Sequence, residues 1–170
     1  GATDDPIAVE KICSYSKAAS TARMLRRSRI GLVGYASMVM YTATFDHVSV
    51  RNRIGPEIDQ LDQYVLIKKV EEVDGEEVER LMGKAKKDWK LTENVTDEDL
   101  RIAMKMYLAL KNIVKEFGWD ALTVKCQYEL SRYYKFTPCV PLSMLGDEVP
   151  CSCEGDIPLT ITQLMLHYLT

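Results

Sequence analysis

Short runs of consecutive apolar residues alternate along this chain with longer stretches whose apolar residues recur every three or four positions. That alternation constrains the fold more than any other feature, because it is the pattern of buried strands separated by helices. The first strand is predicted over Ser28-Arg29-Ile30-Gly31-Leu32-Val33-Gly34-Tyr35, running into a glycine turn. Residues 6–27 precede it as a helix, with Ile7, Ala8, Ile12, Ala18, Ala19, Ala22 and Leu25 at helical spacing. Arg23, Arg26 and Arg27 fall in its last turn, where cations suit the negative helix end, so this basic cluster needs no phosphate ligand to explain it. A second helix is predicted from Met38 to Arg53, stopping at Gly55-Pro56, followed by a second strand at Tyr64-Val65-Leu66-Ile67. Glu76 to Lys87 reads as a charged, exposed helix. Thr96 with Asp99 forms a capping-box signature that opens a helix through Met104, Leu108, Ile113 and Val114 to Phe117-Gly118. The third strand is Ala121-Leu122-Thr123-Val124-Lys125. An irregular stretch through Pro138, Pro141 and Pro150 follows, and the last helix runs from Pro158 to Leu169. That helix is apolar on nearly every face and is expected to be buried on all sides. The pattern predicts an α/β fold: an open, mainly parallel, Rossmann-like sheet flanked by helices, with residues 1–27 as a leading helix and 28–170 as one α/β unit.

Composition narrows the function classes. Twenty-two Lys and Arg against 25 Asp and Glu give a net charge of −3, so no basic footprint for nucleic acid exists. The apolar runs fall far short of the ~20 residues that a membrane helix needs. The acidic start, Gly1-Ala2-Thr3-Asp4-Asp5, lacks the basic-then-apolar order of a signal peptide. Five cysteines, an odd number, then read as reduced thiols in a cytoplasmic protein. Cys151-Ser152-Cys153 has no second pair at zinc-knot spacing, and the thiols are expected to be buried packing groups.

Ligands of open α/β sheets bind at the carboxyl ends of strands, so two stretches carry the chemistry. The first, Gly34-Tyr35-Ala36-Ser37-Met38, has neither the G-x-G-x-x-G of dinucleotide sites nor the G-K-[ST] of a P-loop. It is either a tight turn or a loop that touches a small polar ligand. The second is acidic: Glu129 follows the third strand, and Glu154 and Asp156 stand two residues apart at the start of the last helix. A helix start keeps carboxylates ionised and able to hold a divalent cation, and Asp156 is equally a plain N-cap. Hard oxygen ligands suit Mn²⁺ or Mg²⁺ rather than zinc. His47 and His167 lie within predicted helices, as core or interface residues rather than ligands.

Read together, Lys125-Cys126-Gln127-Tyr128-Glu129, Pro138-Cys139, Leu145-Gly146-Asp147-Glu148 and Cys153-Glu154-Gly155-Asp156 before an apolar helix resemble the L-fucose isomerase-like family of aldose–ketose isomerases. Arg29 to Gly34, followed by Met40-Tyr41 and Phe45-Asp46, also resembles the middle of such a protein. The resemblance runs from about residue 28 onward, and the Cys153–Asp156 element is its most specific part. It implies a Mn²⁺-dependent enzyme, with Mg²⁺ as the alternative, that interconverts aldose and ketose sugars through an ene-diol. Glu129 and Asp156 take the metal-binding and acid/base roles, with Glu154 in reserve as a metal ligand. One departure is Pro141, which stands where fucose isomerases proper place another carboxylate. The resemblance further implies that the chain is an internal piece of a longer, homo-oligomeric enzyme whose metal-binding histidine lies in a later domain, and that the piece is inactive alone. Another function class fits the same strand-end cleft: a non-catalytic sugar-binding α/β module using Tyr35, Tyr41 and Phe45.

Overall fold

The computed structural model describes residues 5–36 and 39–170. Its centre is β1 (Arg29–Val33), where Ile30, Leu32 and Val33 are fully buried. This strand pairs in parallel with β2 (Glu57–Leu61) on one side and β3 (Ala121–Val124) on the other, and β4 (Cys151–Cys153) pairs in parallel with β3. The strand order is β2-β1-β3-β4, so the expected open parallel sheet is observed.

Helices cover both faces because strand side chains alternate. On one face Ile30, Leu32 and Ala121 pack with Leu25 of α1 (Pro6–Leu25), Val50 of α2 (His47–Arg53) and Ile157, Ile161 and Leu164 of α7 (Ile157–Leu169). On the other, Val33, Leu122 and Val124 pack with Leu66 and Val70 of α3 (Gln63–Glu71), with Met106, Leu110 and Ile113 of α5 (Asp97–Phe117), and with Leu142 and Leu145 of α6 (Cys139–Leu145). Outboard, α4 (Gly75–Asp88) buries Val78, Met82 and Ala85 against Leu100 and Met104 of α5. The β1-to-β2 connection thus runs over one face and the β2-to-β3 connection over the other. The chain reverses direction across the sheet at β1 and β3, and in doubly wound sheets the ligand crevice lies outside the carboxyl ends of such a strand pair.

Several boundaries differ from those expected. Tyr64–Ile67 is helical. The Asp62 carboxylate accepts the Tyr64 amide at 2.8 Å and caps α3, while Leu66 and Val70, one helical turn apart, face the core. The second strand is instead Glu57–Leu61, a polar run at the sheet edge that is only half-buried and so lacks the apolar signature. The predicted Met38 start lies outside the described residues. A short 3₁₀ turn occupies Tyr41–Ala43, and α2 begins only at His47, with Asp46 capping Ser49. The irregular stretch holds a one-turn π-helix (Glu129–Tyr133), α6 and β4. The last helix buries one side only: Leu159 and Leu166 are exposed. Cys126 is buried, Cys151 and Cys153 partly so, and Cys13 and Cys139 are exposed, so the buried-thiol expectation fails for those two.

The capping box at Thr96 and Asp99 is formed as predicted, and α5 ends on Gly118 in the left-handed region. No helix among the described residues is long and apolar enough to cross a membrane.

Candidate functional site

Three segments meet at the carboxyl rim of the sheet. After β1, Gly34 turns the chain with φ +97°, and a Cβ there would lie 2.8 Å from the Lys125 Cβ. Glycine is therefore required both by the backbone angle and by the approach of the neighbouring strand. After β4, the Gly155 amide donates to the Val124 carbonyl at 3.2 Å, which lays the Glu154–Asp156 turn directly against the end of β3. A Cβ on Gly155 would meet the Tyr35 carbonyl oxygen at 3.1 Å, so this turn also abuts the loop after β1.

Lys125, the residue after β3, is fully buried. Its ammonium bonds the Glu129 carboxylate and lies 3.6 Å from the centre of the Tyr35 ring, which covers it. The Gln63 side-chain amide donates to the Lys125 carbonyl, tying the amino end of α3 to the same point. A buried ammonium is stable only with a paired anion, and Glu129 supplies it. The hydrogen bond from Lys125 is the main reason that the Glu129 carboxyl titrates below the usual range, with the Tyr35 hydroxyl, 3.5 Å from Oε1, adding a minor contribution.

The backbone here is unusual. Tyr128 has φ +63° and ψ −89°, a strained conformation for a bulky residue, and it launches the π-helix that begins at Glu129. Glu154 also has positive φ, +69°. Left-handed non-glycine residues cost on the order of 1–3 kcal/mol each, and π-turns concentrate at functional sites. Tyr128 and Glu154 put two of the four positive-φ non-glycine residues among the described residues on this rim. The Arg132 guanidinium packs over the Tyr128 ring at 4.9 Å and completes the polar surface.

The structure brings Glu129, Glu154 and Asp156 to this one rim, on the segments that follow the adjacent strands β3 and β4. Asp156 is the N-cap of α7: its Oδ1 accepts the Leu159 amide at 2.9 Å. Glu154 sits in the left-handed turn and is partly buried. Among the described residues no three His, Cys, Asp or Glu side chains are grouped closely enough to hold a metal ion. His47 and His167 are exposed, with their rings tilted against those of Phe45 and Tyr168, rather than filling the core. Pro141 is buried in α6. Glu148, from the Leu145–Glu148 element, lies just before β4 and so at its amino side, where it accepts hydrogen bonds from Tyr107 and Lys111, each at 2.6 Å. Burial pushes the Cys151 and Cys153 thiols up to about 12, so both are neutral packing groups at neutral pH. A cavity of about 440 Å³ lined by Asp147, Gln163 and His167 also opens at the amino side of β4, away from the rim.

Sequence reasoning missed Lys125 as a functional group. Its signal was present: a lysine closing an apolar strand run, with a carboxylate four residues later. The chain matches no protein-family model and no curated protein.

Because the Glu129 carboxyl titrates lower in the folded state than when unfolded, the Lys125 pair stabilises the fold above the ordinary carboxylate range. That stabilisation is lost as pH falls through the depressed folded value. Chemical denaturation at a series of pH values is expected to show stability falling below about pH 4.5, with the Glu129-dependent part absent from Glu129→Gln.

Proposed function

We propose that this chain supplies the sheet-rim half of a Mn²⁺- or Mg²⁺-dependent sugar isomerase of the L-fucose isomerase-like kind, converting aldose to ketose in the cytoplasm as part of a longer, oligomeric enzyme. The observation that carries the reading is a carboxylate, Glu129, held ionised by a buried lysine beside the Glu154–Asp156 turn at the switch point of the sheet. The motif resemblance identifies the same residues.

The donor type, carboxylate oxygen, suits a hard divalent cation. Asp156 commits Oδ1 to the helix cap, which leaves Oδ2 for a ligand, and Glu129 has Lys125 on Oε2 with only the long contact to Tyr35 on Oε1. Among the described residues the three carboxylates are not gathered into one coordination shell, and they fall short of the six or so oxygens that such an ion takes, so on this reading the chain alone binds it weakly and the remaining ligands come from elsewhere. When bound, the ion polarises a sugar carbonyl and holds the neighbouring hydroxyl. Glu129 and Asp156 would hold the ion, with Glu154 in reserve as a further donor. The depressed titration of Glu129 suits a permanently ionised ligand better than a proton shuttle, whose ideal pKa lies near the working pH. Tyr35, half-exposed on top of Lys125, offers a ring face to the sugar. That same ring supports the second reading, a metal-free sugar-binding module.

Mn²⁺ titration followed by electron paramagnetic resonance separates the two. The isomerase reading expects saturable binding near millimolar Kd that weakens at least fivefold in Asp156→Asn, a variant that keeps the helix cap. It also expects no aldose–ketose conversion by the isolated chain. Equal Mn²⁺ affinity in wild type and variant would leave only the binding-module reading.

A further inference from the structure

The first helix does not behave like the others. Of α1, only Thr21 and Leu25 are buried, and residues 9–20 are exposed on every side. It is anchored at its carboxyl end, where the Thr21 hydroxyl donates to the Tyr168 carbonyl at 3.3 Å and the Ser28 hydroxyl bonds the Tyr168 hydroxyl at 2.8 Å. The rest projects into solvent, and a projecting helix of about a dozen residues is marginal in water on its own. Yet Ile12 and Tyr15 are 65% and 77% exposed on it.

These residues belong to a seam. Ala8, Ile12, Tyr15, Ala19 and Ala22 follow alternate steps of four and three, the spacing of a helix–helix contact line. At 100° per residue this line lies roughly a third of a turn from the Thr21–Leu25 line that meets the core, so the body of the molecule does not cover it. Its large residues sit in the middle and its alanines at both ends. The ends also carry opposite charge. Asp5 caps the start, whereas Arg23 and Arg27 are exposed at the finish. Two copies laid antiparallel about a two-fold axis near Tyr15 place Ala8 opposite Ala22, Ile12 against the partner's small residues, and Asp5 beside the arginine end. A parallel pairing would set the arginine ends against each other.

From this we infer that α1 is a self-association surface, and that its occupant is α1 of a second copy of this chain, antiparallel. No rim residue takes part, so loss of the dimer would leave the metal-site reading untouched. The contact is below the size of a standard stable interface, so the dimer is weak, with Kd of about 1–100 µM.

Sedimentation velocity from about 1 to 100 µM, with circular dichroism as the folding control, tests this. The wild-type chain is expected to pass from monomer to dimer over that range. Ile12→Glu and Tyr15→Glu raise Kd at least tenfold while leaving the helical signal of the body intact, and 0.5 M salt weakens the dimer severalfold. In a Cys13→Ser, Cys139→Ser background, which removes both exposed thiols, Ala8→Cys and Ala22→Cys chains cross-link to each other when mixed but not to themselves. A chain monomeric at 100 µM, a dimer indifferent to Ile12→Glu, or self-cross-linking by Ala8→Cys would each overturn the proposal.

Discussion

Glutamine in place of Glu129 is expected to lower the thermal midpoint by about 4–12 °C, a loss of about 2–3 kcal/mol. The cause is Lys125. Its side chain is fully buried, and Glu129 is its ion-pair partner. Removing one member of a buried pair leaves an uncompensated charge, at a cost of about 3–5 kcal/mol. The lower figure applies because the Glu129 side chain is 47% exposed, so water screens its end of the pair. Lys125→Met alone removes the buried charge and retains the apolar stem, so it costs less than Glu129→Gln. Combining the two is expected to recover most of the loss, giving a coupling energy above 1 kcal/mol in the double-mutant cycle. Urea denaturation of the four proteins measures it. Additive effects would mean that Lys125 does not depend on Glu129.

The second large effect is at Gly31, in the middle of the central strand. Trp119 lies flat across it, and a Cβ at this position would stand 2.0 Å from the indole Cε3. The ring cannot give way cheaply. Trp119 is buried, stacks on Phe117 at 5.2 Å and donates its Nε1 hydrogen to Asp59 at 2.9 Å, and Asp59 in turn pairs with Arg29. Gly31→Val is expected to cost about 3 kcal/mol or more, through overpacking and the loss of the indole hydrogen bond. A shift of the urea midpoint with unchanged m-value checks this, and a loss under 1 kcal/mol would contradict it.

These two sites show what could be read in the sequence and what could not. β1 and β3 were legible because both are central strands, buried on both faces and written as continuous apolar runs. So was α5, whose capping box and terminal glycine are local chemistry. β2 was hidden, since an edge strand reading Glu-Ile-Asp-Gln-Leu has no apolar run, and the run at Tyr64–Ile67 is a helix only by virtue of its Asp62 cap and the turn-spaced Leu66 and Val70. At the rim, the acidic residues were visible by type, and the strand order brings their segments together. Lys125 was not singled out, because its burial depends on Tyr35 and Gly34 arriving from a strand some ninety residues earlier. The π-turn at Glu129–Tyr133 and the positive φ of Tyr128 leave no composition signal at all.

On the proposed reading, the carboxyl ends of β1, β3 and β4 form one rim that holds a divalent cation. Backbone amide spectra of the ¹⁵N-labelled chain, recorded while Mn²⁺ is added at substoichiometric steps, address it most directly. Paramagnetic broadening is expected first at Tyr35–Ala36, Lys125–Glu129 and Glu154–Asp156, and much later in Asp156→Asn. Broadening that begins at the acidic surface of α4, or at Asp147 and Glu148 beyond the opposite end of β4, with the rim unaffected, would contradict it.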